Sequence, residues 1–162
     1  MSTPARRALT AVALVVTLGL TGCASSFPAD PDGTLDRVTG GALRVGISPN
    51  GDWTDMTDGG EASGIEVSLV EDFAEGIDAE IEWIEGGEEK LFTDLAAGRL
   101  DMVIGGLTDT TPWTDKAAIT QPFDQVMTAD GKTVKHVMAA AMGENAFLVE
   151  LEQFLLTQES AP

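Results

Sequence analysis

The residues of this sequence that could do chemistry gather around one stretch, Gly98-Arg99-Leu100-Asp101-Met102-Val103-Ile104-Gly105-Gly106-Leu107-Thr108-Asp109-Thr110. Gly98 suits a helix end, where glycine adopts the left-handed conformation without penalty. Met102 to Ile104 is the short apolar run of a strand buried on both faces. Gly105-Gly106 then lets the backbone turn, and Thr108, Asp109 and Thr110 offer side-chain oxygens and amides just past the strand end. Ligands of open α/β sheets bind outside the carboxyl ends of the strands, so the stretch is a candidate floor and lip for a small molecule. It also reads as a core strand followed by a polar turn.

Other chemistries find less support. Asp52, Asp55, Asp58 and Glu61 recur every third residue, whereas the ligands of an EF-hand loop alternate, and a solvated acidic loop fits them better. His136 is the only histidine, so a His-based zinc site or a His-dependent triad lacks its usual complement. Gly105-Gly106 lacks the spacing of a dinucleotide or phosphate loop. Met102, Met127, Met138 and Met142 read as core filler. The expectation is a protein without metal or cofactor and without a nucleophile–base pair, a binder rather than an enzyme.

Cys23, the only cysteine, points to a different chemistry. Arg6 and Arg7 precede an uncharged apolar run, Ala8 to Leu20, too short for a comfortable membrane span and suited to a secretory signal. It ends in Leu20-Thr21-Gly22-Cys23, which resembles the bacterial lipobox: small residues for peptidase access, then a thiol to take a diacylglycerol. An ordinary signal or an uncleaved anchor is the competing reading. Cleavage before Cys23 removes residues 1–22 and leaves 140 residues with a formal charge of −20. That excess of acid argues against nucleic acid, fits a solvated extracellular protein and favours a cationic ligand or partner. Acyl chains on Cys23 would hold the chain on a membrane. The length allows one real core.

Residues 23–41 read as the lipidated cysteine and a flexible tether, rich in Ser, Pro, Asp and Gly, with one turn of helix at Thr34–Thr39. The body, 42–158, alternates strand and helix before a short tail at 159–162. Leu43–Ile47 is strand-like. A polar loop runs from Asp52 to Ser63. Ile65–Ala74 is an amphipathic helix with Ile65, Leu69, Val70 and Phe73 on its apolar face. Ala79–Glu85 alternates as a strand, Glu88 and Glu89 open a helix where the macrodipole favours acids, and Leu91, Phe92, Leu95 and Ala96 form its buried face. The order β-α-β-α-β predicts a parallel sheet. Thr111-Pro112-Trp113 reads as the start of a short helix capped by Thr111. Val134–Ala141 reads as a strand or a helix, and Glu144–Leu155 as a final helix with Phe147, Leu148, Leu151, Phe154 and Leu155 on one stripe.

Taken in order, Leu43-Arg44-Val45-Gly46-Ile47, Gly64-Ile65-Glu66-Val67-Ser68-Leu69-Val70, Leu95 to Ile104, and Gly106-Leu107-Thr108-Asp109-Thr110 through Thr120-Gln121-Pro122-Phe123 resemble the first lobe of periplasmic solute-binding proteins of the amino-acid type, the receptors of ABC importers. The final helix resembles the one that returns to that lobe. The resemblance implies an α/β fold, a single lobe like those of type 2 periplasmic binding proteins with a mostly parallel sheet and a C-terminal helix. It also implies a small-molecule solute, an ABC transporter permease as partner, and a place outside the cytoplasmic membrane.

Two departures accompany the likeness. The family inserts a second lobe after the segment matching Gln121-Pro122-Phe123, and here only about a dozen residues follow before Val134, too few for a domain. The family's arginine, which clamps a ligand carboxylate as a fork, falls at Trp113. An ordinary α-amino acid held by that clamp is therefore not expected. An aromatic face attracts a cation or stacks on a flat ligand, and Trp53 lies where the family often places an aromatic. The expected cleft is built from Trp53, Trp113, Thr108 and Thr110, with negative charge from Glu66, Asp109 and Asp115. The competing reading is that one or both tryptophans pack against the helix that follows. The alternative function is a degenerate one-lobe module that docks a partner protein at the cell surface without binding a solute.

Overall fold

The computed structural model describes residues 28–58 and 60–159. Strands β1 (Ala42–Ile47), β4 (Glu80–Glu85) and β5 (Met102–Ile104) alternate with helices α2 (Ile65–Gly76) and α3 (Glu88–Ala96). The five-stranded sheet has the order β4-β1-β5-β9-β6, where β6 is Ala118–Ile119 and β9 is Ala139–Ala140. β1 lies parallel to both β4 and β5, whereas β9 runs antiparallel to β5 and β6. The parallel part follows the β-α-β-α-β order. The antiparallel part closes the far side through the final helix α4 (Asn145–Glu159). Among the described residues no helix is long and apolar enough to cross a membrane.

The sheet is apolar on both faces. One core gathers Leu43, Val45, Ile47, Met102 and Ile104 with Val70 and Phe73 of α2 and with Phe147, Leu151 and Leu155 of α4. The other gathers Val103 and Ala139 with Leu91, Phe92 and Leu95 of α3. Gly46 makes the second possible, because a Cβ there would lie 2.8 Å from Leu100 and 3.1 Å from Leu91 and Val103.

Several elements differ from the sequence reading. Residues 28–41 are not a loose spacer. Thr34–Val38 forms helix α1, and Val38 is buried in the first core. Polar residues of low helix content looked like tether, yet several find partners far along the chain. Glu144 accepts the amides of Asp32 and Thr34 at 3.1 Å each. Asp30 accepts Leu35 N–H at 2.8 Å, and the Ala29 carbonyl accepts those of Asn145 and Ala146 at the start of α4. Arg37 and Arg44 both reach the buried Asp101. Burial acts to raise the Asp101 carboxyl, but hydrogen bonds from Arg44 and Arg37 outweigh it and hold it below its ordinary value.

The acidic loop folds into a small hairpin of β2 (Asp55–Met56) and β3 (Ala62–Ser63). Helix α2 buries Glu66, Val67, Val70, Phe73 and Ala74, whereas Ile65 stays 49% exposed. Ala96 of α3 faces solvent, since Leu91, Phe92 and Leu95 already cover the facing core. Thr111–Lys116 forms turns instead of a helix. Only Lys116 and Ala117 bond back to the Trp113 carbonyl, and β6 begins two residues after Lys116. Val134–Ala141 splits into β8 (Thr133–His136) and β9. β8 pairs antiparallel with β7 (Asp124–Met127) as a projecting hairpin.

Candidate functional site

The loops after β1 and β5 meet at the carboxyl ends of those strands. After Ile47, Ser48 N–H donates to the Ile104 carbonyl at 3.0 Å, and the chain then turns back on itself. Thr54 Oγ1 donates to the Ser48 carbonyl at 2.6 Å. Asn50 Nδ2 donates to the Gly105 carbonyl at 2.8 Å, joining the two loops. Gly106 adopts φ +64°, and a Cβ there would fall 2.4 Å from Asn50 Nδ2 and 3.3 Å from the Trp53 ring. Both the left-handed backbone and the close approach demand glycine.

Glu66 supports the turn from below. It is fully buried, and its Oε2 accepts the N–H groups of Gly105 and Gly106, each at 2.9 Å. Burial pushes its carboxyl up to about 7, against the downward pull of those two amides. Above the turn lies the lip. Thr108 and Thr110 share a hydroxyl–hydroxyl hydrogen bond at 3.0 Å, Asp109 N–H donates to the Lys135 carbonyl at 3.0 Å, and Asp109 and Thr110 are exposed. Thr108 also forms a bridge to His136 at the end of β8.

An aromatic group backs the lip. The Trp53 ring stacks on His136 with centroids 3.6 Å apart and 20° between planes, and Phe123 meets it edge-on at 6.5 Å. Burial lowers the His136 pKa, and Asp124 works in the other direction. Three buried polar atoms lack a hydrogen-bond partner among the described residues, namely Glu66 Oε1, Thr111 Oγ1 and His136 Nδ1. All three belong to the segments that build this end of the sheet, whereas buried polar groups are normally paired.

The structure thus brings together Trp53, Thr108, Asp109 and Thr110 and adds Asn50, Phe123 and His136, which the sequence reading had not placed there. Nothing in the sequence pairs His136 with Thr108 28 residues away in number; that bridge is made by the fold. Three expected residues stand elsewhere. Asp115 lines a separate pocket with Asp32, Leu95, Gly98 and Met142. Glu66 lies beneath the turn and not in the cleft. Trp113 packs on the second core: its ring stacks on Phe92 at 4.9 Å and 10°, its Nε1 donates to Glu88 at 2.7 Å, and Lys116 lies 5.1 Å from the ring centre. An indole whose face and N–H are both engaged is a poor clamp for a solute. Cys23 lies outside the described residues.

Residues 43–158 match the family model of bacterial extracellular solute-binding proteins, family 3. No curated protein matches the sequence. Among solved structures, a tryptophan-substituted, arginine-bound form of domain 1 from TmArgBP of T. maritima aligns with a TM-score of 0.69 at 19% identity, covering 78% of this chain and 99% of that one. An ancestral cationic amino acid solute-binding protein aligns at 0.68 and 12% identity, covering 78% of this chain and 94% of that one. An ancestral cyclohexadienyl dehydratase aligns at 0.67 and 13%, covering 78% and 90% respectively. At these identities the likeness establishes the fold.

Proposed function

This chain belongs to family 3 of the bacterial extracellular solute-binding proteins, and on that premise we propose that it is a membrane-anchored receptor for a small cationic or planar solute. The anchor is a lipid on Cys23, exposed as the first residue once residues 1–22 are removed. The partner is the permease of an ABC importer. The observation that carries the reading is the convergence of Trp53, Thr108, Asp109, Thr110 and His136 at the carboxyl ends of β1 and β5. The role is binding and not catalysis.

Two features support a cation over a carboxylate. The two turn amides that face the floor are already occupied by the Glu66 carboxylate, and Trp113 stands where the resemblance places the clamping arginine. Exposed Asp109 and the −18 formal charge of the chain favour positive solutes. Domain 1 of TmArgBP carries arginine, which supports a single lobe of this architecture as a sufficient receptor.

The test is thermal unfolding of the full chain with arginine, lysine, tryptamine or glutamate. A ligand that binds only the folded state raises the midpoint by mass action. A rise with arginine, lysine or tryptamine, lost in Trp53→Ala and kept in Trp113→Ala, is expected. No shift with any of them contradicts the reading.

One observation favours a second reading, docking of a protein. A groove of about 280 Å³ is lined by Ile65, Leu69, Phe123 and Leu155, with Asp124 and Gln158. Beside Phe123, β7 leaves Val126 40% and Met127 75% exposed, and it follows the segment after which the resemblance places a second lobe.

A further inference from the structure

Glu66 is the least ordinary ionisable group of the fold. It stands in the first turn of α2 with no exposed surface. One oxygen accepts two amides 39 and 40 residues along the chain, and the other has no partner. The Gly105–Gly106 turn is thus gripped by two side chains, through its carbonyl by Asn50 and through its amides by Glu66. From that geometry we propose that Glu66 is a proton-sensitive positioning residue, whose carboxylate sets how firmly Gly105–Thr111 is held for a solute. The proposal rests on the reading of Thr108–Thr110 as a solute lip.

Hydrogen bonds to an ionised acceptor are about twice as strong as neutral ones. As a carboxylate, Glu66 holds both amides firmly. With a proton on Oε1, the same geometry persists with weaker bonds. The group is poised between these forms near neutrality, since burial opposes ionisation and the two amides favour it. The surroundings leave that balance undisturbed. From the β5 loop it meets only the amides of Gly105 and Gly106. From the β1 loop it meets the Trp53 carbonyl, which accepts the Glu66 N–H at 3.0 Å, while the Asp52 side chain there is exposed. From β8 the ionisable group at this end is His136, which stacks on the Trp53 ring and is kept towards neutrality by burial. Asp109 on the lip is exposed.

The experiment follows the amide resonances of Gly105 and Gly106 in the isotope-labelled full chain from pH 5.5 to 8.5, alone and with arginine as probe. Both amides should move together with one midpoint near 7, and both should stay still in Glu66→Gln, which keeps an acceptor but cannot titrate. Amides that do not move, or that move equally in the variant, overturn the proposal. Arginine should bind up to about tenfold more tightly at pH 8.5 than at 5.5, the scale of a one-unit pKa change on binding, and the difference should vanish in Glu66→Gln. Equal affinity at both pH values in the unsubstituted chain would overturn the effect on the lip. If arginine binds at neither pH, the solute reading fails, while the amide titration still decides whether Glu66 holds the Gly105–Gly106 turn in a proton-dependent way.

Discussion

A buried carboxylate with a single satisfied oxygen makes the stability of this chain depend on pH in a definite direction. The Glu66 carboxyl is raised from 4.5 to about 7 in the folded state, so its contribution is fully present below pH 4.5 and is lost as pH rises to about 7. The loss is on the order of 3 kcal/mol. Chemical denaturation of the unsubstituted chain and of Glu66→Gln across this range should show the former losing ground to the latter as pH rises, and parallel curves would contradict it. His136 has the opposite sign. Its folded pKa is lowered, so its contribution is present above about 6.5 and is lost as pH falls. Gly106→Ala should cost about 1–3 kcal/mol by the same measurement, since it combines positive φ with a 2.4 Å approach to Asn50. The Thr108–Thr110 lip was legible in sequence because it directly follows an apolar strand bounded by glycines. The place of Glu66 was not. A helical hydropathy pattern sends a glutamate to solvent, and only two amides contributed by a distant turn make its burial tolerable. Trp113 was likewise beyond position counting, because its Glu88 partner belongs to helix α3, 25 residues earlier.

At the scale of elements, the clasp around α1 joins parts that the sequence keeps apart. Arg37 of α1 and Arg44 of β1 converge on Asp101 just before β5, and Glu144 just before α4 caps the start of α1. Asp101→Ala leaves two guanidinium groups without their shared acceptor; both are partly exposed and can be rehydrated, so the cost is that of lost charge-assisted hydrogen bonds, about 1–3 kcal/mol. The melting midpoint should fall by several degrees, and an unchanged midpoint would show that the clasp is ornamental. The lowered pKa of Asp101 gives that contribution an acid limit. It is present above the unfolded value of 3.8 and is lost as pH falls through the lower folded value. Strands β1 and β4 and the larger helices were readable because their hydropathy patterns run through the whole element. Helix α1 was half readable: one turn was visible, but the prolines and acids before it looked like spacer, because Glu144, which accepts the amides of Asp32 and Thr34, lies more than a hundred residues away. The expected helix at Thr111 had a cap and a proline in the right places and lost to tertiary context, where Trp113 is pinned to α3.

At the scale of the molecule, two cores on opposite faces of one sheet make this a lobe with its own interior, in agreement with the order of motifs along the chain. What periodicity could not reveal is how the carboxyl end is finished. The β7–β8 hairpin, the His136–Trp53 stack and the Thr108 bridge are long-range pairings. The formal charge of −18 adds self-repulsion that salt screens, so the melting midpoint should rise as sodium chloride is raised from low to moderate concentration, and a fall would show that attractive pairs dominate. The central claim is that a solute is held at the lip and not at the apolar groove. Its most direct measurement is an arginine titration of the labelled full chain, read at the indole N–H groups of Trp53 and Trp113 and at the amides of Thr108–Thr111 and of β7. The account predicts saturable movement of Trp53 and Thr108–Thr111, with Trp113 and β7 still. Movement confined to Val126, Met127 and the groove, or no movement anywhere, would contradict it.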